Sequence, residues 1–445
     1  MNTPICDFVN QYINENPLRL HMPGHKGADI LGYEKYDITE VNGADSLYEA
    51  SGIIRESEQN ASKLFGCDTF YSTEGSSQCI RAMLYLATLY AKERGKSTTV
   101  LAGRNAHKTF VTAAALLDLD VVWLEGEYTQ AYLSCNITAD YLDRILTRQD
   151  NKPMAVYLTN PDYLGNTVDI KALSGVCQKY GVLLLVDNAH GAYLKFLPNS
   201  QHPIDLGADI CCDSAHKTLP VLTGGAYLHI GASVSDVLSP YAKDALALFG
   251  STSPSYLILQ SLDAANKYIA ENLTDKLKII LPKVSALKEK LSSKGYSLLS
   301  QEELKITIST KSYGYTGYDF SQILNKHNIM CEFFDPDYVV LMISSENSDR
   351  DIKKLEEALL SVPPLTPIAD RPPKNAISEK KLSIRDALFS AKETISTEHA
   401  LGRVLADTTV GCPPAVPIIV CGEKIDKNTM ELFKYYNIKN CVVVK

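Results

Sequence analysis

Asp209–Ile230 reads DICCDSAHKTLPVLTGGAYLHI: an apolar run, a polar turn holding His216 and Lys217, then Gly224-Gly225 opening a second apolar run. Short runs that are apolar on both faces belong inside a sheet covered on both sides. Upstream, Val182–Val186 (VLLLV) leads in the same manner into Asp187-Asn188-Ala189-His190-Gly191. Thr98–Ala102 (TTVLA), Val121–Leu124 (VVWL) and Met154–Leu158 (MAVYL) are further runs of this kind, and Ser76–Ala91, Lys108–Leu117 and Ile170–Tyr180 read as helices between them. Strands alternating with helices predict an α/β fold with a mainly parallel central sheet and helices on both faces. Ligands of such sheets sit beyond the carboxyl ends of the strands, so the polar residues after each run are the first candidates for function.

The wider composition narrows the class. Over 445 residues, 45% hydrophobic and 22% charged, the 25 Gly and 20 Pro are ordinary counts, which excludes collagen-like and disordered chains. A net charge of −8 with both signs dispersed and no basic block argues against a nucleic-acid partner. The N-terminus MNTPICDFVNQYINENPLRL lacks a basic stretch followed by an apolar run, and no segment approaches the roughly 18 apolar residues of a membrane span, so a soluble cytoplasmic protein is expected. The 11 Cys include no C-x-x-C pair and read as reduced, buried thiols.

Three signals carry chemistry. Lys217 stands at a strand mouth beside His216, between apolar runs, where desolvation would lower its pKa and suit it to condense with an aldehyde. Asp187, a strand-end acid, could protonate a heterocyclic nitrogen or hold a metal, the metal being the weaker choice with one acid and one His at this strand end. Gly75-Ser76-Ser77 begins a helical pattern, where hydroxyls and helix-start N–H groups favour a phosphate. Together they are what pyridoxal phosphate requires: a lysine for its aldehyde, an acid for its ring nitrogen and a helix start for its phosphate. No G-x-x-x-x-G-K-[ST] or G-x-G-x-x-G supports a nucleotide. His21 and His25 have H-x-x-x-H spacing, but Pro23-Gly24 interrupts the helix that would align them, so no metal is expected.

On these residues the chain resembles the Orn/Lys/Arg decarboxylases, pyridoxal-phosphate enzymes of the aspartate-aminotransferase (type I) fold. The resemblance is carried by LRLHMPGHKG (Leu18–Gly27), DITEVNGADSLYEASGIIRESEQNASKLFG (Asp37–Gly66), RNAHKTF (Arg104–Phe110), VDNAHGAYL (Val186–Leu194), SAHKTLPVLTGGA (Ser214–Ala226) and CPPAVPIIVCGE (Cys412–Glu423). The length resembles that of the short bacterial branch, without an N-terminal wing domain.

The resemblance implies decarboxylation of arginine, lysine or ornithine to the amine, of the kind used in polyamine biosynthesis. It implies that Lys217 bonds the cofactor, Asp187 partners its ring nitrogen and His107 stacks on the ring. Gly75, Ser76, Ser77, Ser214 and His216 would serve the phosphate side, Ala189 would pack under the ring and His190 would lie near its 3-hydroxyl. Lys217 or His216 would return a proton to Cα. A homodimer or higher homo-oligomer is implied, with His21, His25 and Asp45 in segments that cross between subunits and reach the substrate. Against the family pattern, Asn188 and Tyr193 replace Glu and His, Glu74 replaces Asn before Gly75, Ser46 replaces the second Asp after Asp45, and Ala415 replaces Gly. Several of these lie where the family recognises substrate. Aminotransfer is the alternative reaction and would require one of Arg350, Arg371, Arg385 or Arg403 to clamp the α-carboxylate. A non-catalytic relative is the other alternative.

The chain divides in this reading into an N-terminal segment 1–60 serving dimer and active site, a cofactor-binding domain 61–250, a small α/β domain 251–370 and a C-terminal domain 371–445. Residues 255–295 read as helical, and Lys305–Ser309 and Tyr338–Ser344 as β-like. Ser361–Lys374, with five Pro, reads as a linker; Ser383–Ser396 is expected to be helical and Pro413–Val420 extended.

Overall fold

The computed structural model describes residues 1–126, 132–374, 376–408 and 415–445. The chain forms two compact units: Met1–Thr98 with Gln149–Tyr157 and Ile170–Lys276, and Thr99–Arg148 with Leu158–Asp169 and Leu277–Lys445. Twelve strands occur among the described residues. They are β1 (Asp68–Ser72), β2 (Thr99–Gly103), β3 (Asp120–Leu124), β4 (Ala155–Thr159), β5 (Leu183–Asp187), β6 (Ile210–Asp213), β7 (Ala226–Ile230), β8 (Lys305–Ser309), β9 (Phe333–Phe334), β10 (Tyr338–Met342), β11 (Lys392–Ser396) and β12 (Asn440–Val444).

In the first unit the strand order is β1-β7-β6-β5-β4. β5 and β6 are parallel, in the register Leu185↔Ile210 to Asp187↔Cys212. β7 lies antiparallel to both β6 and β1. Every residue of β5, β6 and β7 is buried, which explains their unbroken apolar runs. The helix Ile170–Tyr180 ends at Gly181, whose φ of +64° turns the chain into β5. The 19-residue helix Gly75–Glu93 buries Cys79, Ile80, Ala82, Met83, Leu84, Leu86 and Ala87. Its start is pinned where the Gly75 N–H donates to Gly224 O at 2.7 Å.

In the second unit β2 and β3 are parallel, β8-β10-β9 form an antiparallel sheet and β11 pairs antiparallel with β12. The fold is α/β with a mainly parallel sheet, as the sequence predicts. β1 and the antiparallel course of β7 are additions, because a half-polar strand such as Asp68-Thr69-Phe70-Tyr71-Ser72 gives no clear run.

Two local expectations are corrected. Within Ser383–Ser396 only Ile384–Phe389 is helical, capped where the Asp386 N–H donates to Ser383 Oγ. Ser390 then turns extended, and Thr394 and Ile395 lie in strand β11. Of the expected strand Pro413–Val420, Pro413 and Pro414 lie outside the described residues. Ala415–Val420 forms no strand, since Ala415 takes a φ of +61° and Pro417 has no N–H for a ladder. Residues 255–295 are helical as expected, the helices Tyr256–Tyr268 and Thr274–Lys294 being joined by a π-helical turn. The proline-rich stretch after Ser361 carries no regular element but is tied down by the Leu365 and Ile368 N–H groups, which donate to Tyr313 O and Lys311 O.

Candidate active site

The ends of β5 and β6 present two acids. Asp187 closes β5 and is buried; its Oδ2 accepts from the Tyr157 hydroxyl at 3.1 Å, and its Oδ1 from Ala189 N–H at 3.2 Å and the Cys212 thiol at 3.8 Å. Burial raises its proton affinity above the usual carboxylate range, and the charge of Lys217 and these donors oppose that rise. Asp213 closes β6 and is wholly buried. Its Oδ2 accepts from His202 Nε2 at 3.1 Å and His229 Nε2 at 3.2 Å, and its Oδ1 from Asn188 Nδ2 at 2.6 Å. Burial would raise this carboxyl too, but the two imidazoles reverse the effect and hold it well below the usual range.

After β6 the chain makes the short helix Ala215–Thr218, which carries His216 and Lys217. Lys217 Nζ lies 2.9 Å from His190 Nε2, in the loop that follows Asp187. The His216 Nδ1–H donates to Gly225 O at 3.0 Å, and burial lowers its proton affinity. That bond fixes the neutral tautomer with the lone pair on Nε2. Gly224, with φ of +101°, allows the backbone to approach: a Cβ there would lie 3.0 Å from Thr73 O. Beside it, Gly75 opens the long helix with φ of +71°, and Ser214 Oγ donates to Ser76 Oγ at 2.7 Å. The structure therefore brings together Ser76 with Ser214, Gly75 with Gly224, and Lys217 with His190. Ser77, in the first turn of the same helix, and Ala189, bonded to Asp187, flank these pairs.

The other expected residues occupy other places. His107 belongs to the second unit and caps the helix Lys108–Leu117, its Nδ1 accepting from Thr109 N–H at 3.2 Å. His21 Nε2 meets the Tyr12 hydroxyl at 2.6 Å, and His25 Nε2 lies 3.2 Å from Asp37 Oδ2. Asp45 is buried and accepts from the N–H groups of Ser46, Ser51, Gly52 and Ile54, which fixes the start of the helix Ile53–Phe65.

Two of the departures from the family pattern also find partners. Asn188 donates to Asp213, and Glu74 Oε1 accepts from Ser251 N–H at 2.5 Å. Sequence patterns do not single out Tyr157, His202, Asp213 and His229. The signal available was a polar residue inside an apolar run or at its end. His202, Cys211 and Asp213 stand close enough to share a cation, but Asp213 already accepts from His202, His229 and Asn188, so protons satisfy the cluster.

The fold is type I, the fold of pyridoxal-phosphate enzymes. Within that class the chain belongs to the Orn/Lys/Arg decarboxylase family, whose major-domain model it matches over residues 3–306. It is 30% identical to the uncharacterized protein YaaO of Bacillus subtilis (strain 168), covering 97% of this chain and 93% of that one. It is 28% identical to the arginine decarboxylase of Halalkalibacterium halodurans, covering 98% and 93%. Among solved structures, the lysine decarboxylase of Francisella novicida superposes with a TM-score of 0.80 at 17% identity, covering 100% of this chain and 81% of that one. The constitutive lysine decarboxylase of Escherichia coli gives 0.76 at 17%, covering 100% and 82%. At such identities the superpositions establish the fold.

The cofactor is pyridoxal 5′-phosphate, and the residues present fit it. Asp187 is a buried acid with Lys217 as its opposing charge, and nothing lies within 4 Å of a Cβ built on Gly75, so the helix start is open where a phosphate would approach.

Proposed function

We propose that the protein decarboxylates a basic amino acid, arginine, lysine or ornithine, to the amine and CO₂. The observation that carries this reading is the placement of Asp187, Lys217 and the Ser76–Ser214 pair at the strand ends of one unit. Bound pyridoxal phosphate supplies an electron sink for the pair left behind when the carboxylate departs. Asp187 would hold a proton on the ring nitrogen. Lys217 would tether the cofactor and would supply a proton from Nζ to Cα; His190, 2.9 Å from that nitrogen, would hold it in place. His216 is the alternative donor, through Nε2 once that nitrogen has itself taken up a proton. Gly75, Ser76, Ser77, Ser214 and His216 would hold the phosphate, and Ala189, His190 and His107 would hold the ring.

Decarboxylation is preferred to aminotransfer on the family match, and two of the four arginines that could clamp an α-carboxylate have structural duties. Arg385 donates to Ala115 O and Leu116 O, and Arg403 to Glu393 and Val444 O.

The reading extends to a homodimer in which segment 1–60, with His21, His25 and Asp45, serves the neighbouring site. Segments 61–250, 251–370 and 371–445 act as cofactor-binding, small and C-terminal domains. A cytoplasmic location fits the absence, among the described residues, of any helix long and apolar enough to cross a membrane. Incubating the purified protein separately with arginine, lysine and ornithine tests the function. One of them should yield its amine and CO₂, and Lys217→Ala should abolish the product. A keto acid in place of the amine would identify aminotransfer.

A further inference from the structure

Tyr157 stands on β4, inside the run Met154–Leu158, and its side chain is fully buried. A hydroxyl sunk into a strand interior is costly unless it is bonded, and a phenyl ring would fill nearly the same volume. The oxygen has a partner: it donates to Asp187 Oδ2 at 3.1 Å. The groups the structure sets against Asp187 are the Tyr157 hydroxyl from β4, the Cys212 thiol from β6 and the Ala189 N–H, with the charge of Lys217, in the turn after β6, acting on it. Of these, Lys217 alone is a cation, and in the proposed function that nitrogen is committed to the cofactor. Asp213, the other buried acid at these strand ends, is occupied by His202 and His229. Desolvation therefore favours a neutral Asp187, and donated hydrogen bonds are what remain to hold it ionised.

We propose that Tyr157 is a positioning residue for Asp187: its hydroxyl keeps Oδ2 a carboxylate, so that the proton between Asp187 and the cofactor's ring nitrogen rests on the nitrogen. This rests on the assignment of Asp187 to that nitrogen. The Cys212 thiol and the Ala189 N–H perform the same service on Oδ1, more weakly in the case of the thiol because sulfur is a poor donor.

The test uses the holoprotein carrying pyridoxal phosphate labelled with nitrogen-15 in the ring, whose chemical shift separates the protonated from the neutral pyridine nitrogen. The wild type should show the protonated signal. Tyr157→Phe should move it part of the way to neutral, with the midpoint of ring deprotonation falling by about one pH unit. Its kcat should fall while KM for the amino acid is unchanged. Replacing Tyr157 with 2,3-difluorotyrosine, a more acidic phenol and stronger donor, should raise the midpoint instead. Asp187→Asn should move the signal fully to neutral. If Asp187→Asn shifts the signal while Tyr157→Phe and the fluorinated variant match wild type, the inference is overturned and the role of Asp187 stands. If Asp187→Asn leaves the wild-type signal, that role fails and the inference fails with it.

Discussion

Lys217 and Asp187 answer to different physical demands, and each can be tested alone. Lys217 lies against His190, so borohydride reduction of the holoprotein followed by peptide mapping should place the cofactor on Lys217 and leave Lys108 unlabelled. Asp187→Ala should keep most of the fold but lower turnover by orders of magnitude, with a smaller loss of bound cofactor; near-normal turnover would reassign this strand end. His229 is buried, and burial holds its proton affinity below the ordinary value despite Asp213. Its folded pKa being the lower one, the unfolded chain takes up the proton first. The stabilising contribution is therefore present above the unfolded value, about 6.5, and is lost as pH falls below it. Thermal melts should show this decline, and His229→Gln should flatten it. The positions of Lys217, Asp187, Ser76 and Ser214 are legible from sequence because each stands where an apolar run or helical pattern begins or ends. Tyr157, His202 and His229 are not, because their meaning lies in bonds to residues 30, 11 and 16 positions away, which no local pattern encodes.

The elements that carry these residues are held at their ends. β5 and β6 run parallel and side by side, and the Asn188–Asp213 bond closes the pair just beyond β5. Asn188 is also why Gly191 has no side chain, since a Cβ there would lie 2.0 Å from Asn188 Oδ1. With an acid on the neighbouring strand end, the position calls for a donor. Asn188→Asp would set two buried carboxylates against each other and should cost about 2–4 kcal/mol of stability in urea titrations, beyond any effect on activity. Unchanged stability would mean that the pair does not form. The five runs expected to build the central sheet all became strands, and the completely buried β5 and β6 show why: burial on both faces writes itself into a sequence as an unbroken apolar run. Where burial is partial the pattern thins: β1 gives no clear run, and Lys392–Ser396 reads as a continuation of the helix Ile384–Phe389. Glu74 marks another limit of sequence reading, since only the fold shows its carboxylate accepting from Ser251 N–H.

Across the whole molecule the N-terminal segment poses the largest unsolved burial problem. Leu18 and Leu20 are 83% and 84% exposed, and Met22, Ile30, Leu31 and Tyr33 are exposed with them. An apolar stretch of that extent, with no regular element from Asn16 to Gly52, is expected to be covered by something outside this chain. The family resemblance points to a second copy, and a two-fold interface buries the same surface on both. If the segment completes the neighbour's site, two separately inactive proteins should repair each other. Lys217→Ala removes the tether, and His25→Ala removes the imidazole bonded to Asp37 within the crossing segment. Mixed and allowed to exchange subunits at equal amounts, half the dimers are hybrids. Each hybrid then holds one site built from a wild-type lysine turn and a wild-type crossing segment. Recovered activity should therefore approach about a quarter of wild type and no more. The measurement needs subunit exchange shown independently, for instance by native mass spectrometry of two differently tagged variants. Full exchange with no recovered activity, or a fully active monomer in sedimentation, would place the whole site within one chain and leave the exposed leucines to another partner.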